Sequence, residues 1–397
     1  MEDFLRLYGE AAKTAVGFFW KAGWAFIMGY AISAMIQAFV PRQRMTAHMG
    51  SFGFQPIALS TIFGAISSSC SFAALAAARS LVAKGAHWIA GVAFMFASTN
   101  LVIELGILIL IFLGWQYLVA ELIGGLLLIT ISAVLMRLFY PRRWLEEARE
   151  SVEHDAPEEE DFSPMQRMRS REGWRLVGHH FVSEWKMVWQ EVLIGFTIAG
   201  FMKVFVPAEF WQTIFLMNLQ GQIPDVLIAL ENAVVGPFVA ALTFIGSMGN
   251  IPLATVLAGS GVAFAGIMAF IYSDLMVPPL VKVNAKYYGW PVALYIAGIM
   301  FVSIVITALV LHFGFLALGI TPEATAGDAA HDQFAVDYTL FLNVAFAVVA
   351  AGLVWLHHRH KQAVGLSGGH GARTFQDYVT WVCIGVLATG VVTYLLK

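Results

Sequence analysis

Apolar runs long enough to cross a lipid bilayer recur along this chain, at 14–40, 87–113 and 116–139 and again beyond residue 183. A helix spans a hydrocarbon core with about 20 apolar residues. Inside that core every backbone N–H and C=O must find a partner within the protein. Runs of this length therefore predict transmembrane helices. The composition agrees: 59% of the 397 residues are hydrophobic, only 12% are charged, and the mean hydropathy is +0.74. A soluble domain carries roughly a quarter charged residues. The expected class is an all-α, polytopic membrane protein.

Two of the apolar segments are interrupted. Ser67-Ser68-Ser69-Cys70-Ser71 divides 55–83, and Ser98-Thr99-Asn100 divides 87–113. Irregular backbone at membrane depth survives only where protein or a watery cavity covers it. Two such breaks close together predict the lining of a site. Packing of helices through small residues is the alternative for any single serine.

A composition change divides the chain. Residues 141–182 carry Arg142, Arg143, Arg149, Arg167, Arg169, Arg171 and Arg175, with the acidic run Glu158-Glu159-Glu160-Asp161. Excess arginine places this linker on the cytoplasmic side, as a disordered tether or a regulatory segment. The flanking parts echo one another. GYAISAMIQAFVP (29–41) matches GFTIAGFMKVFVP (195–207), and GAHWIAGVAFMFAS (85–98) lies over GVAFAGIMAFIYSD (261–274). The break at 67–71 then falls opposite Ser247–Pro252, and the break at 98–100 opposite Ser273-Asp274. The resulting division is a first transmembrane repeat (1–140), a cytoplasmic linker (141–182), a second repeat (183–316), and an outer loop with two C-terminal transmembrane helices (317–397). Residues 338–356 and 376–396 are the two last spans, joined by a basic loop whose His357, His358, His360 and His370 are too loosely spaced to predict a metal site.

Charge suggests how the repeats are related. Pro41 is followed by Arg42, Arg44 and His48, whereas Pro207 is followed by Glu209 and no Lys or Arg up to Pro224. Opposite bias at equivalent positions places them on opposite sides of the membrane. An inverted repeat results if 55–83 is a re-entrant hairpin, leaving three crossings per half. A single crossing at 55–83 gives a parallel repeat instead.

Broken helices expose N–H groups at one half-helix start and C=O groups at the other's end. Such ends bind polar solutes without a full side-chain charge. The candidate transport path is Ser67, Ser68, Ser69, Cys70, Ser71, Ser98, Thr99, Asn100, Gly249, Asn250, Ser273 and Asp274. Ionisable residues within a membrane are costly and point to function, so Asp274 and Glu104 are the candidate proton-coupling residues. Glu104 and Glu121 have a structural alternative, as partners of Arg79 or Arg137. Cys70, flanked by serines, offers a soft thiol to a thiophilic solute; Cys383, inside an apolar span, reads as inert.

No nucleotide-binding, metalloprotease or nucleophile-elbow motif is present, so an enzyme is not expected, nor a cofactor or metal. A net charge of −3 gives no general affinity for nucleic acid. The expected partners are a small-molecule substrate and the lipid bilayer, with homo-oligomerisation left open. No cleaved signal peptide is expected at the start. A passive channel, or a membrane subunit serving a larger complex, is the alternative to a carrier.

The two signature stretches, SSSCSFAALAAARSLVAKGAHWIAGVAFMFASTNLVIELGI and SMGNIPLATVLAGSGVAFAGIMAFIYSDLMVPP, resemble those of the ArsP/YraQ-like predicted permease family, which includes the organoarsenical efflux permeases. The resemblance covers about 14–316. It implies a multi-pass permease of the cell inner membrane that exports small solutes such as trivalent organoarsenicals, an arsenic-resistance activity. Many relatives carry a Cys-Ser-Cys-type motif in the first break; this chain has Ser68-Ser69-Cys70 there, with one thiol.

Overall fold

The structure, a computed structural model, describes residues 2–39, 53–67, 71–83, 85–153, 164–243, 246–322, 334, 338–364 and 375–396. Among these the regular structure is helical, with no β-strand. In chain order the first half contains α1 (Glu2–Phe39), α2 (Phe54–Ser67), α3 (Ser71–Ala83), α4 (Trp88–Asn100), α5 (Ile103–Phe112) and α6 (Trp115–Leu138). Two short helices follow, α7 (Arg142–Glu153) and α8 (Pro164–Arg169). The second half contains α9 (Arg171–Phe205), α10 (Ala208–Ile214), α11 (Asp225–Thr243), α12 (Ser247–Gly259), α13 (Phe264–Ile271), a 3-10 segment (Tyr272–Met276), α14 (Pro278–Tyr288) and α15 (Trp290–Leu318). Two helices, α16 (Tyr338–Val364) and α17 (Phe375–Leu395), complete the described chain. Eight helices among the described residues are long and apolar enough to cross a membrane, and the bent α4–α5 pair adds a ninth.

Apart from α10, the same order of described elements occurs in both halves: a long helix, two interrupted ones, then another long helix. Both opening helices end at the matched Phe-Val-Pro, at Phe39 and Phe205. Gly85 (φ +97°) and Gly261 (φ +85°) turn the chain into α4 and α13. Gly114 (φ +96°) and Gly289 (φ +83°) turn it into α6 and α15, whose first residues are Trp115 and Trp290. Side chains with a Cβ rarely adopt this left-handed backbone, which selects glycine at both matched turns. Close contacts recur as well. A Cβ on Gly64 would lie 2.6 Å from the Phe94 carbonyl, and one on Gly236 would lie 2.6 Å from the Gly266 carbonyl. The missing side chain is what lets α2 press on α4 and α11 on α13.

Helices α1 and α9 pack along each other, with Phe18, Phe26 and Phe196 buried between them. Helices α6 and α15 also meet, and α4 and α13, the innermost half-helices, are buried at every position. Large exposed side chains such as Leu122, Leu126, Leu242, Leu294 and Val310 lie on outward faces, as expected where lipid replaces water.

The linker departs from a simple tether. Its described residues are helical, and α9 starts at Arg171, inside it. Helix α7 is strongly amphipathic: Leu145 and Ala148 are buried against the membrane helices, while the Leu145 carbonyl accepts a 3.2 Å hydrogen bond from Trp88 Nε1. The lead-in before residue 14 likewise continues α1 rather than forming a separate element. The C-terminal pair packs on α1 and α9. Asn343 of α16 brackets one turn of α1: its Oδ1 accepts from the Trp24 N–H at 2.9 Å, and its Nδ2 donates to the Trp20 carbonyl at 2.7 Å.

Candidate functional site

Each interrupted helix has a local cause. Helix α4 ends at Asn100, and Leu101 and Val102 leave helical geometry before α5 resumes at a 44° bend. Helix α13 gives way to the 3-10 segment carrying Ser273 and Asp274, and Pro278-Pro279 starts α14 afresh. Proline supplies no N–H and suits the first turn of a helix. Helix α2 stops at Ser67 and α3 starts at Ser71; Ser68, Ser69 and Cys70 lie outside the described residues. In the second half the break precedes the predicted 247–252 stretch. Gly246 caps α12, and Ser247, Gly249, Asn250 and Pro252 already lie in its first turns.

These breaks converge. Ser71, the first residue of α3, donates a 3.0 Å hydrogen bond to Asp274 Oδ2 across the two halves of the chain. Thr99 at the end of α4 lies near the same carboxylate, with its hydroxyl donating to the Met95 carbonyl at 3.1 Å. Helix α12 touches both α5 and the 3-10 segment. Asp274 is 0% exposed. The backbone donors at this carboxylate are those of Asp274 itself and Leu275. The start of α12 faces a second carboxylate, since a Cβ on Gly246 would run into Glu191 of α9. Glu191 lies within electrostatic reach of Asp274. The first residue of α3 and the residue that caps α12 thus each lie against an acid.

A third acid completes the group. Glu121 of α6 is 0% exposed, with the Tyr272 side chain at its carboxylate and Asp274 within electrostatic reach. The link between them is Tyr272, two residues before Asp274. Its hydroxyl donates to the Ala120 carbonyl at 2.9 Å, with the Glu121 carbonyl at 3.4 Å. The ring fits because residue 124 is glycine, and a Cβ there would collide with the Tyr272 hydroxyl.

Other predicted residues play local parts. The Ser98 hydroxyl turns back to the Met95 carbonyl at 3.1 Å and the Ser273 hydroxyl to the Ala269 carbonyl, the self-bonding that lets serine sit within a membrane helix. Asn100 donates to the Phe96 carbonyl and to Thr99, steadying the residue that meets Asp274. Buried Asn250 accepts from Thr243 across the break between α11 and α12 at 3.3 Å. Glu104 is buried against α1, where a Cβ on Gly29 would collide with its side chain. For Glu121 the sequence offers a structural role beside Arg79 or Arg137 as the alternative to function; its carboxylate lies at Tyr272 and within electrostatic reach of Asp274, and Arg79 stacks over the Tyr287 ring at 4.6 Å. Glu191 was missed because α9 is an unbroken helix there. Its signal was an acid in the middle of a predicted span.

Many apolar helices with broken members and buried acids define a multi-pass membrane protein of the permease class. The family described as "Predicted permease" matches residues 7–313, and this chain belongs to it. The chain is also 36% identical over 327 residues to the protein named "Putative permease Rv2963" of Mycobacterium tuberculosis, an alignment covering 79% of each. No solved structure matches the chain.

Proposed function

We propose that the protein is a secondary transporter of the cell inner membrane that exports a small uncharged solute of the trivalent organoarsenical class, driven by an ion gradient. The observation that carries this reading is the buried Ser71–Asp274 hydrogen bond, which joins a broken helix of each half at one acidic centre. A rocking motion of one half against the other breaks and remakes that bond. A proton on Asp274 lowers the negative charge of the centre and changes which arrangement is stable, and that is what coupling requires. Ser71, Thr99, Asn100 and Asn250 supply hydroxyl and amide groups, and Cys70 of the first break supplies one thiol. Asp274, Glu191 and Glu121 together disfavour an oxyanion, whereas an organoarsenous acid, uncharged near neutral pH, meets no repulsion. One thiol supports a single As–S contact with hydroxyl ligands, not a three-sulfur cage.

The halves are assigned as inverted repeats, 1–140 and 183–316, on the matched glycine turns, the shared element order and the opposite charge after Pro41 and Pro207. Single cysteines at positions 45 and 215 are expected to label from opposite sides of the membrane; labelling from one side contradicts the inversion.

Uptake into everted membrane vesicles tests the substrate. Methylarsenite is expected to accumulate when the membrane is energised, with accumulation reduced in Cys70→Ser, while small oxyanions do not accumulate. Oxyanion uptake without methylarsenite uptake overturns the assignment.

A further inference from the structure

We infer that Glu121 is a second proton-carrying residue of the transport cycle, and that one proton is shared between Glu121 on α6 and Asp274 on the 3-10 segment. This deepens the proposed function and rests on Asp274 being the coupling acid. Three features carry it. The Glu121 side chain is fully buried at membrane depth, where an ionisable group is costly, and the polar side chain at its carboxylate is Tyr272, on the segment that bears Asp274. Asp274 acts on it electrostatically, and like charges in a dry interior do not both ionise. Finally, Tyr272 fastens the segment bearing Asp274 to the α6 backbone at Ala120 and Glu121, in a notch made by Gly124. The two acids therefore move as one unit when α6 shifts.

The groups facing the pair are Ser71 and Thr99 on the first half's broken helices, Tyr272 beside Asp274, and Glu191 on α9, which also senses Asp274. Proton exchange balances simply. The O–H bond on one carboxyl breaks as an O–H bond on the other forms, and the pair keeps one negative charge. When the site opens to the other side, that charge takes up a second proton from water or the pair releases the one it holds. Such a pair titrates with two apparent steps that belong to both residues together.

The test uses the full chain in proteoliposomes with methylarsenite, comparing wild type, Glu121→Gln, Glu121→Asp and Asp274→Asn. Wild type is expected to show a two-step pH profile of gradient-driven uptake. Glu121→Gln is expected to keep solute counterflow, to carry fewer protons per solute, and to show a single step. Glu121→Asp is expected to restore the second step. A Glu121→Gln protein with wild-type proton stoichiometry and profile overturns the inference. Should Glu121→Gln fail to fold, Glu121→Asp decides, since a shortened carrier must alter the spacing of the two steps and an unchanged profile refutes the role. Wild-type behaviour in Asp274→Asn instead removes the underlying coupling reading, which keeps the two failures apart.

Discussion

Asn343→Ala removes the polar tie between the C-terminal helix pair and α1. Asn343 makes two hydrogen bonds to one turn of α1, at 2.9 Å from the Trp24 N–H and 2.7 Å to the Trp20 carbonyl. Within a membrane such side-chain bonds contribute about 0.6 kcal/mol each on average, with a maximum near 1.7. Two of them give about 1–3 kcal/mol. The backbone groups keep their helical environment after truncation, which sets the expected loss at about 1–2 kcal/mol. For a chain of this size that corresponds to a fall of only a few degrees in the unfolding midpoint. Membrane proteins usually unfold irreversibly, so the assay compares midpoints in detergent at one fixed heating rate. Asn343→Leu is the informative partner, because it fills the space without either hydrogen bond, and it should melt below wild type. Asn343→Ala melting with the wild type would refute the argument, as would Asn343→Leu melting with it.

Three more outcomes follow. Ser71→Ala removes the donor to Asp274, an interaction of about 1.5–3 kcal/mol if the acid is charged, so gradient-driven uptake should fall by roughly ten- to a hundredfold with folding intact, read in vesicles. Gly64→Ala and Gly236→Ala each drive a Cβ to 2.6 Å from a carbonyl oxygen, and both should destabilise by about 1–3 kcal/mol in the same midpoint assay. Trp88→Phe deletes the hydrogen bond to Leu145, and trypsin should then cut within 142–153 faster than in wild type while the transmembrane fragments stay intact.

Much of the architecture was legible because the membrane imposes a simple rule on sequence. Long apolar runs became spans, but the breaks fall beside the predicted polar residues more than on them: α4 runs through Ser98, Thr99 and Asn100 before the chain bends at Leu101 and Val102, and Ser247 to Pro252 lie inside α12. The Phe-Val-Pro ends of α1 and α9 and the 85–98/261–274 match located corresponding elements in both halves. What pattern could not reveal was which residues cross between elements. Nothing in the sequence links Ser71 to Asp274, 203 positions apart. An arginine partner stayed open for Glu121 because sequence shows no depth or facing. Gly124, which admits Tyr272 beside it, reads as an ordinary membrane glycine. The linker misled in a different way: its charge suggested a tether, but Trp144, Leu145 and Ala148 give α7 an apolar stripe that docks it. The Gly-Trp pairs at 114–115 and 289–290 were visible in the sequence and mark equivalent helix starts. They were harder to use because only the positive φ of each glycine shows them to be the same turn.

The central claim is that Asp274 couples an ion gradient to solute movement in a carrier. The direct measurement is purified Asp274→Asn in proteoliposomes, assayed for both gradient-driven accumulation and counterflow of radiolabelled or mass-detected methylarsenite. The account predicts that accumulation is lost while saturable counterflow persists, because the amide mimics the neutral acid and still accepts from Ser71. Accumulation undiminished in Asp274→Asn, or flux in the wild type that neither saturates nor exchanges, would contradict it.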